Sequence, residues 1–449
     1  MKLYLRILTV ILVGYYYLGK TWAYLFIGEL FLVFFAMTFV LLVIHITKSK
    51  IKGGIPIVLY ILLFLGICYA FIGLTEHGIN GIRDSVIITY AMFAIVFYNF
   101  ILYSEINIVN WFKNYASYFK FLPLFYLFMI IANYQFSFLN PTIPFLNRSL
   151  SQVKAGDMGV HTLFALLLVI TGFVYYKKRE KYAVLVCIAA IAVYLAAFNR
   201  GGFLSILFPF IYFLYLKKKM SYLRYFFIGA FFFVLALILF SKIDAFQSNS
   251  RARTLSAEQL FKNYSAITNI DYSRLVDIDY SNMSDDAGVE GGNILWRLLW
   301  WAKIVNYTVF GDYLWTGKGF GVNLAEDDDV PHGATPDVRS PHNATMTILA
   351  RTGIVGLALW IIFLWITFWR LIHHIRLSKA QHETYHNLFI ILLCYWLSFL
   401  INSSLDVFLE GPMGGIPFWV IVGVIYCTFY QYQKEMSLRP IANESTSRS

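Results

Sequence analysis

Residues 293–323 read NILWRLLWWAKIVNYTVFGDYLWTGKGFGVN, and residues 339–357 read RSPHNATMTILARTGIVGL. These two stretches hold most of the polar detail of a chain that is otherwise apolar. They also overlap the only long hydrophilic segment, residues 244–344. Any chemistry that the chain performs is therefore expected to centre here, on a frame formed by the apolar remainder.

The composition places that frame in a lipid bilayer. Of the 449 residues, 59% are hydrophobic and only 14% are charged, whereas soluble domains carry roughly a quarter charged residues. Aromatic residues reach 19%, which suits the many membrane interfaces of a multi-pass protein. Each cysteine lies in an apolar run and is predicted to be packing rather than a disulfide partner; the four are Cys68, Cys187, Cys394 and Cys427.

A helix crosses a bilayer with about 20 apolar residues, and its backbone polar groups are satisfied internally. Twelve runs qualify: 4–19, 22–46, 55–75, 85–104, 118–135, 158–176, 182–199, 202–216, 225–243, 345–371, 386–405 and 415–431. The first is predicted to be an uncleaved span, because Tyr15, Tyr16 and Tyr17 stand where signal cleavage needs small residues. The predicted fold is an all-α, polytopic transmembrane helix bundle of about 12 spans.

Lysines and arginines cluster in every second loop, which predicts that both termini are cytoplasmic. Residues 244–344 then lie outside, with 14 acidic and 8 basic residues. The predicted organisation is 1–243 as nine spans, 244–344 as one long extracytoplasmic loop, 345–433 as spans ten to twelve and 434–449 as a cytoplasmic tail. Because the basic residues lie between apolar runs, the net charge of +11 indicates membrane topology and no nucleic acid.

A few basic residues fall on the outer side, against this bias, and invite a functional explanation: Lys20, Arg83, Arg148, Lys154 and Arg200. Arg200 lies between two apolar runs. It could snorkel to the interface, or it could bind the phosphate of a lipid bidentately. Gly201 and Gly202 beside it would allow close approach of a ligand or of another helix.

Two further residues are candidates for chemistry. Arg297 interrupts an apolar, tryptophan-rich segment that is predicted to be an interfacial helix capped by Asn293, and it either contacts lipid headgroups or serves a site. His342 directly precedes the tenth span. Its neutral imidazole could take a proton from a hydroxyl nucleophile, or it could simply cap the helix or contact headgroups.

Two other motifs give weaker signals. The glycine run 317–321 lacks the strand and helix that a nucleotide site needs, so a tight turn facing a lipid site is predicted. The acidic run 326–329 could bind a divalent ion, although consecutive loop carboxylates are more often solvated.

The ordered set of Arg-Gly-Gly, Trp-Arg-Leu, GKGFG and Ser-Pro-His-Asn followed by LARTGIVGL resembles the O-antigen ligase/polymerase superfamily of Wzy polymerases and WaaL ligases, over roughly residues 185–370. The resemblance implies a GT-C-like glycosyltransferase at the outer face of the bacterial cytoplasmic membrane, without metal or cofactor. Its donor would be a glycan on undecaprenyl diphosphate, its acceptor a glycan or lipid A core, and a chain-length regulator protein a further partner. Whether the chain is a polymerase or a ligase stays open.

The resemblance also assigns residues. By family position, Arg200, Arg297 and His342 would be catalytic. The residues predicted to bind substrate are Arg200, Arg297, Arg339, Asn343 and Gly319. The competing class is a transporter or flippase for lipid-linked oligosaccharide or polysaccharide. A transporter should carry ionisable residues inside its spans, and the predicted spans show almost none besides Glu29. An enzyme is therefore favoured.

Overall fold

The structure is a computed structural model that describes residues 2–25, 28–47, 54–134, 137–143, 148–221, 292–330 and 338–438. The helices in these ranges are α1 (Lys2–Leu18), α2 (Lys20–Leu25), α3 (Gly28–Thr47), α4 (Ile57–His77), α5 (Ile79–Thr89), α6 (Ala91–Tyr103), α7 (Ile108–Ser117), α8 (Leu122–Tyr134), α9 (Ala155–Thr171), α10 (Lys178–Phe198), α11 (Arg200–Leu216), α12 (Gly292–Val309), α13 (Leu324–Asp327), α14 (Ala344–Ser378), α15 (Glu383–Ser403) and α16 (Pro412–Leu438). Two short strands, β1 (Thr142–Ile143) and β2 (Arg148–Ser149), pair antiparallel.

The predicted all-α membrane architecture is confirmed. Six helical segments are long and apolar enough to cross a membrane, and a seventh is added if the bent pair α5–α6 counts as one span. Four shorter apolar helical segments accompany them, in α1, α3, α9 and α11. The total of twelve spans stays a prediction, and the run 225–243 and residues 244–291 lie outside the described residues.

Two predicted spans are not continuous helices. The run 85–104 bends by 51° at Tyr90, between α5 and α6. The run 345–371 lies in α14, which is interrupted at Gly353 (φ 62°, ψ −162°). The apolar pattern continues across both points, so hydropathy alone did not reveal them.

The interruption at Gly353 has a local cause. The loop before α13 supplies the missing hydrogen bonds of α14: Lys318 N donates to Ala350 O at 2.8 Å, Gly319 N donates to Arg351 O at 3.0 Å, and Ile354 N donates to Leu314 O at 2.7 Å. A Cβ on Gly353 would lie 2.6 Å from Leu314 O. Glycine is therefore required both for its positive φ and for this close backbone approach.

The predicted cytoplasmic loops meet at one end of the bundle. Lys120 pairs with Glu180 at 2.8 Å, Lys217 binds Asn387, and Arg370 Nη1 donates to Gly54 O. These contacts link predicted cytoplasmic segments in three pairs, namely the ends of α7 and α10, the end of α11 with α15, and α14 with the segment before α4. Which side of a membrane this end faces stays a prediction.

Candidate active site

Arg200 is the first residue of α11. Asn199 caps this helix, with its Oδ1 accepting from Gly202 N at 2.6 Å. A Cβ on Gly202 would lie 3.0 Å from Ala155 O of α9, and a Cβ on Gly201 would lie 3.1 Å from Leu405 Cβ. The two glycines therefore admit protein neighbours, a helix and a loop, which fixes the position of Arg200 at the end of the bundle opposite the basic loops.

Arg297 comes from α12 and reaches the same loop. Its Nη1 donates to Leu405 O at 2.9 Å, while its Nε is buried without a hydrogen-bond partner among the described residues. Burial lowers the pKa of Arg297; nearby Asp406 opposes this shift, and the like charge of Arg200 adds to it. The two predicted arginines are thus within electrostatic range of each other.

Helix α12 begins at Gly292. Asn293 is therefore its second residue and not the cap that the sequence predicted. The helix also holds the segment that bears the histidine, because Trp301 Nε1 donates to Pro341 O at 2.8 Å.

His342 lies between this segment and α14. Its backbone has φ of 55°, a left-handed conformation that is uncommon for a non-glycine residue and costs of order 1–3 kcal/mol. The imidazole Nδ1 lies 3.6 Å from Asp406 Oδ1, and the Trp296 ring meets it edge-on at 5.9 Å between centroids. The side chain remains 23% exposed, so one face is open to a reactant.

Asp406 is a site residue that the sequence did not reveal. Burial alone would raise the pKa of its carboxyl, but contact with His342, the charge of Lys154 and a hydrogen bond from Val407 N at 2.8 Å outweigh burial and hold this pKa at about 2. The carboxylate is therefore ionised at neutral pH. Facing Nδ1, it favours the tautomer that carries a proton there, which leaves Nε2 as a base.

Asn343 has a structural task. Its Oδ1 accepts from Thr345 N at 2.9 Å and from Met346 N at 3.1 Å, which caps α14. The cap explains why α14 begins where the tenth span was expected. Binding of substrate by Asn343 stays a prediction.

Arg339 and Gly319 belong to a second cluster. Arg339 Nη2 donates to Gly321 O at 2.9 Å and lies 3.2 Å from Asp84 Oδ2. The same carboxylate oxygen lies 3.0 Å from Arg351 Nη2, while Arg351 Nη1 donates to Gly319 O at 3.2 Å. These bonds fasten the glycine turn to α5 and α14. Contact of Arg339 or Gly319 with substrate stays a prediction.

Three carboxylates of the acidic run are exposed, as expected of solvated loop acids, and only Asp328 departs from that expectation. Asp328 is fully buried, with its Oδ2 accepting from Trp300 Nε1 at 2.6 Å and its Oδ1 from Lys318 Nζ. Lys318 also lies 4.0 Å from the Tyr307 ring centroid. Within the described ranges, no three His, Cys, Asp or Glu side chains are grouped as metal ligands.

Two of the basic residues that were predicted to lie outside the membrane act on the same carboxylate. Lys20 and Lys154 act electrostatically on Asp157 in the first turn of α9, and Lys154 also acts on Asp406. Arg83 pairs with Asp84 at 3.4 Å. The side chain of Arg148 lies outside the described residues.

The expectation that spans hold almost no ionisable residues was too strong. Arg351 in α14 is 2% exposed, and Asp157 in α9 is 4% exposed, while the side chain of Glu29 is outside the described part. Arg351 pairs with Asp84, and Asp157 lies near the charges of Lys20 and Lys154 at one end of the bundle. Arg351 and Asp157 do not trace a path through it.

Part of the chain matches a known protein family. The family described as O-antigen ligase matches residues 185–361, a range that contains Arg200, Arg297 and His342. No curated protein matches the chain. This match supports the resemblance of the chain to the O-antigen ligase/polymerase superfamily.

Proposed function

We propose that the chain is a membrane glycosyltransferase that moves a glycan from undecaprenyl diphosphate to a sugar hydroxyl in the assembly of O-antigen or another surface polysaccharide. One observation carries this proposal. Arg297 and His342 both contact residues 405–406. Arg297 donates to Leu405 O and is affected by the charge of Arg200, and His342 lies beside Asp406. Two arginines and a candidate base therefore lie close together at one end of the helix bundle, which is called the mouth of the bundle below.

The positive charges of Arg200 and Arg297 can stabilise the departing diphosphate. A guanidinium binds phosphate oxygens through its planar fork, and the N-terminus of α11, which begins at Arg200, adds a partial positive charge that favours anions. Two like charges held close together are stabilised by a bound dianion. Positive charge placed where the diphosphate leaves lowers the barrier without a metal ion.

His342 suits the acceptor. Its Nε2 takes the proton of the acceptor hydroxyl while that oxygen bonds to the donor's anomeric carbon and the bond to the diphosphate oxygen breaks. Asp406 stabilises the imidazolium that forms. A hydrogen bond from His342 to the diphosphate is the other role open to it, but the adjacent carboxylate favours the role of base.

The lipid-linked donor requires that this mouth faces the outer leaflet of the bacterial cytoplasmic membrane, with both termini in the cytoplasm. The acceptor is a second glycan for a polymerase, or lipid A core for a ligase. A chain-length regulator protein is a proposed partner of the polymerase form. The chemistry derived from the three residues is the same for both acceptors.

The test is a reconstituted reaction. Purified protein in detergent with EDTA is given undecaprenyl-diphosphate oligosaccharide, and the products are resolved by size. A ladder of longer lipid-linked glycans supports a metal-independent polymerase, and transfer only after lipid A core is added supports a ligase. Arg200→Ala, Arg297→Ala and His342→Ala should each abolish the product while the protein still inserts in the membrane.

Two results would contradict the proposal. Normal product from all three variants would reject the site. The absence of any product, together with movement of lipid-linked glycan across a liposome bilayer, would identify a transporter instead.

A further inference from the structure

Two polar side chains next to the proposed site are buried without hydrogen bonds. Asp157 is 4% exposed and Asn402 is 1% exposed. Neither Oδ1 of Asp157 nor either polar atom of the Asn402 amide has a hydrogen-bond partner among the described residues. Burying a polar atom without a partner is costly, so three such atoms on two neighbouring side chains call for an explanation.

Asp157 and Asn402 lie close to each other and to the segment that binds Arg297. A Cβ on Gly156 would lie 2.7 Å from Asn402 Oδ1, so the amide rests against the first turn of α9, next to Asp157. Asn402 is the penultimate residue of α15 and lies three residues before Leu405, whose carbonyl binds Arg297. Asp157 is within electrostatic range of Asp406. The pair therefore lies between the ends of α9, α11 and α15, beside the groups proposed to hold the diphosphate.

The chemistry of the pair selects its ligand. The diphosphate that joins a glycan to its lipid is a diester with no proton at neutral pH, so it only accepts hydrogen bonds and cannot satisfy the oxygen of Asn402. A hydroxyl or an amide both donates and accepts. Each such group can donate to Asp157 Oδ1 or to Asn402 Oδ1 and accept from Asn402 Nδ2, so two of them on one sugar satisfy all three orphaned atoms.

We propose that Asp157 and Asn402 form a saccharide subsite, which binds hydroxyl or amide groups of the sugar joined to the donor diphosphate. This inference rests on the proposed function, since the arginines define where the diphosphate lies. The side chains are covered before the donor binds. The non-helical connection Ser404–Val407, which carries Leu405 and Asp406, is the segment that must shift to admit the sugar.

The test compares two probes on the detergent-solubilised full chain: undecaprenyl diphosphate, and undecaprenyl diphosphate that carries the cells' own oligosaccharide. Asn402→Leu keeps the volume and removes both polar atoms. It should weaken binding of the glycosylated probe about tenfold, because two hydrogen bonds of about 0.5–1.5 kcal/mol each are lost. Binding of undecaprenyl diphosphate should change less than twofold. Asp157→Asn, which keeps the shape, should act in the same direction.

A melting temperature separates this role from a structural one. Replacing an orphaned amide with an apolar group is neutral or stabilising, so Asn402→Leu should melt at or above the wild-type temperature. A large fall in melting temperature with equal losses for both probes would overturn the subsite. If Asn402→Leu does not fold, Asp157→Asn carries the binding test.

The control is Arg297→Ala, which should weaken both probes. Wild-type protein that binds neither probe would reject the proposed function and the subsite with it. Wild-type protein that binds both, with both subsite variants unchanged on both, would reject the subsite alone and leave the proposed function standing.

Discussion

Asp406→Asn should lower kcat for glycan transfer by about 10²–10³-fold. The carboxylate Oδ1 lies 3.6 Å from Nδ1 of His342. At that separation, a carboxylate and an imidazolium attract by roughly 4–5 kcal/mol with an effective dielectric constant of about 20. Each side chain keeps 23% exposure, so water screens part of this energy. A loss of roughly 3–4 kcal/mol corresponds to the stated factor.

The effect should appear in kcat and not in the KM for the donor. Asp406 opposes the positive charge of Arg297, so removing its negative charge leaves binding of a diphosphate unchanged or tighter. The assay is the initial rate of transfer from undecaprenyl-diphosphate oligosaccharide at varied donor concentration. Asp312→Asn is the matched control, because that carboxylate is exposed in the turn after α12.

The reasoning is refuted if Asp406→Asn keeps kcat within threefold of wild type. It is also refuted if the loss appears entirely as a higher KM for the donor, because Asp406 would then act on binding and not on the base.

Three further changes test the frame around the site. Arg351→Met removes a buried guanidinium 3.0 Å from Asp84 and leaves that carboxylate with Arg83 and Arg339, so it should destabilise the fold by less than the roughly 3–5 kcal/mol of a fully broken buried pair; thermal unfolding in detergent measures the loss, and an unchanged melting temperature would contradict a stabilising pair. Gly353→Ala should lower the melting temperature more than Gly319→Ala, because both have positive φ but only the first Cβ would meet backbone atoms; equal shifts would show that φ alone matters. The pKa of Asp406, at about 2, is below its ordinary value of about 3.9, so its stabilisation is complete above the unfolded pKa and is lost as pH falls towards the folded one. The difference in free energy of unfolding between wild type and Asp406→Asn should therefore shrink between about pH 4 and pH 2, and a constant difference would argue against an ionised Asp406.

The sequence was sufficient to predict features that depend only on residues close together in the chain. Apolar runs located the helices, and the short Arg200–Gly202 junction between two runs was placed as a helix start. The bend at Tyr90 and the break at Gly353 were missed, because hydropathy does not register a change of backbone direction. At Gly353 the determining partner, Leu314 O, lies in another segment.

The site shows the same division. Arg200, Arg297 and His342 stood out because charged or titratable residues are rare beside apolar runs. Asp406, Asp157 and Asn402 did not stand out, since a polar residue near a helix end is ordinary until its neighbours are known. Lys154 was noticed for its placement, but its link to Asp406 required the fold. Pairing across distant segments is the information that a single sequence lacks.

The interruption of α14 ties the loop between α12 and α13 to the helix bundle. Three backbone hydrogen bonds that would ordinarily lie within one helix are instead shared between that helix and residues 314–319. Lifting this part of the loop would leave carbonyls and an amide of α14 unpaired, so it cannot open as an independent lid. Exchange of loops between relatives, by recombination or by design, would therefore have to transfer residues 314–319 together with the 350–354 region of α14 as one inherited unit.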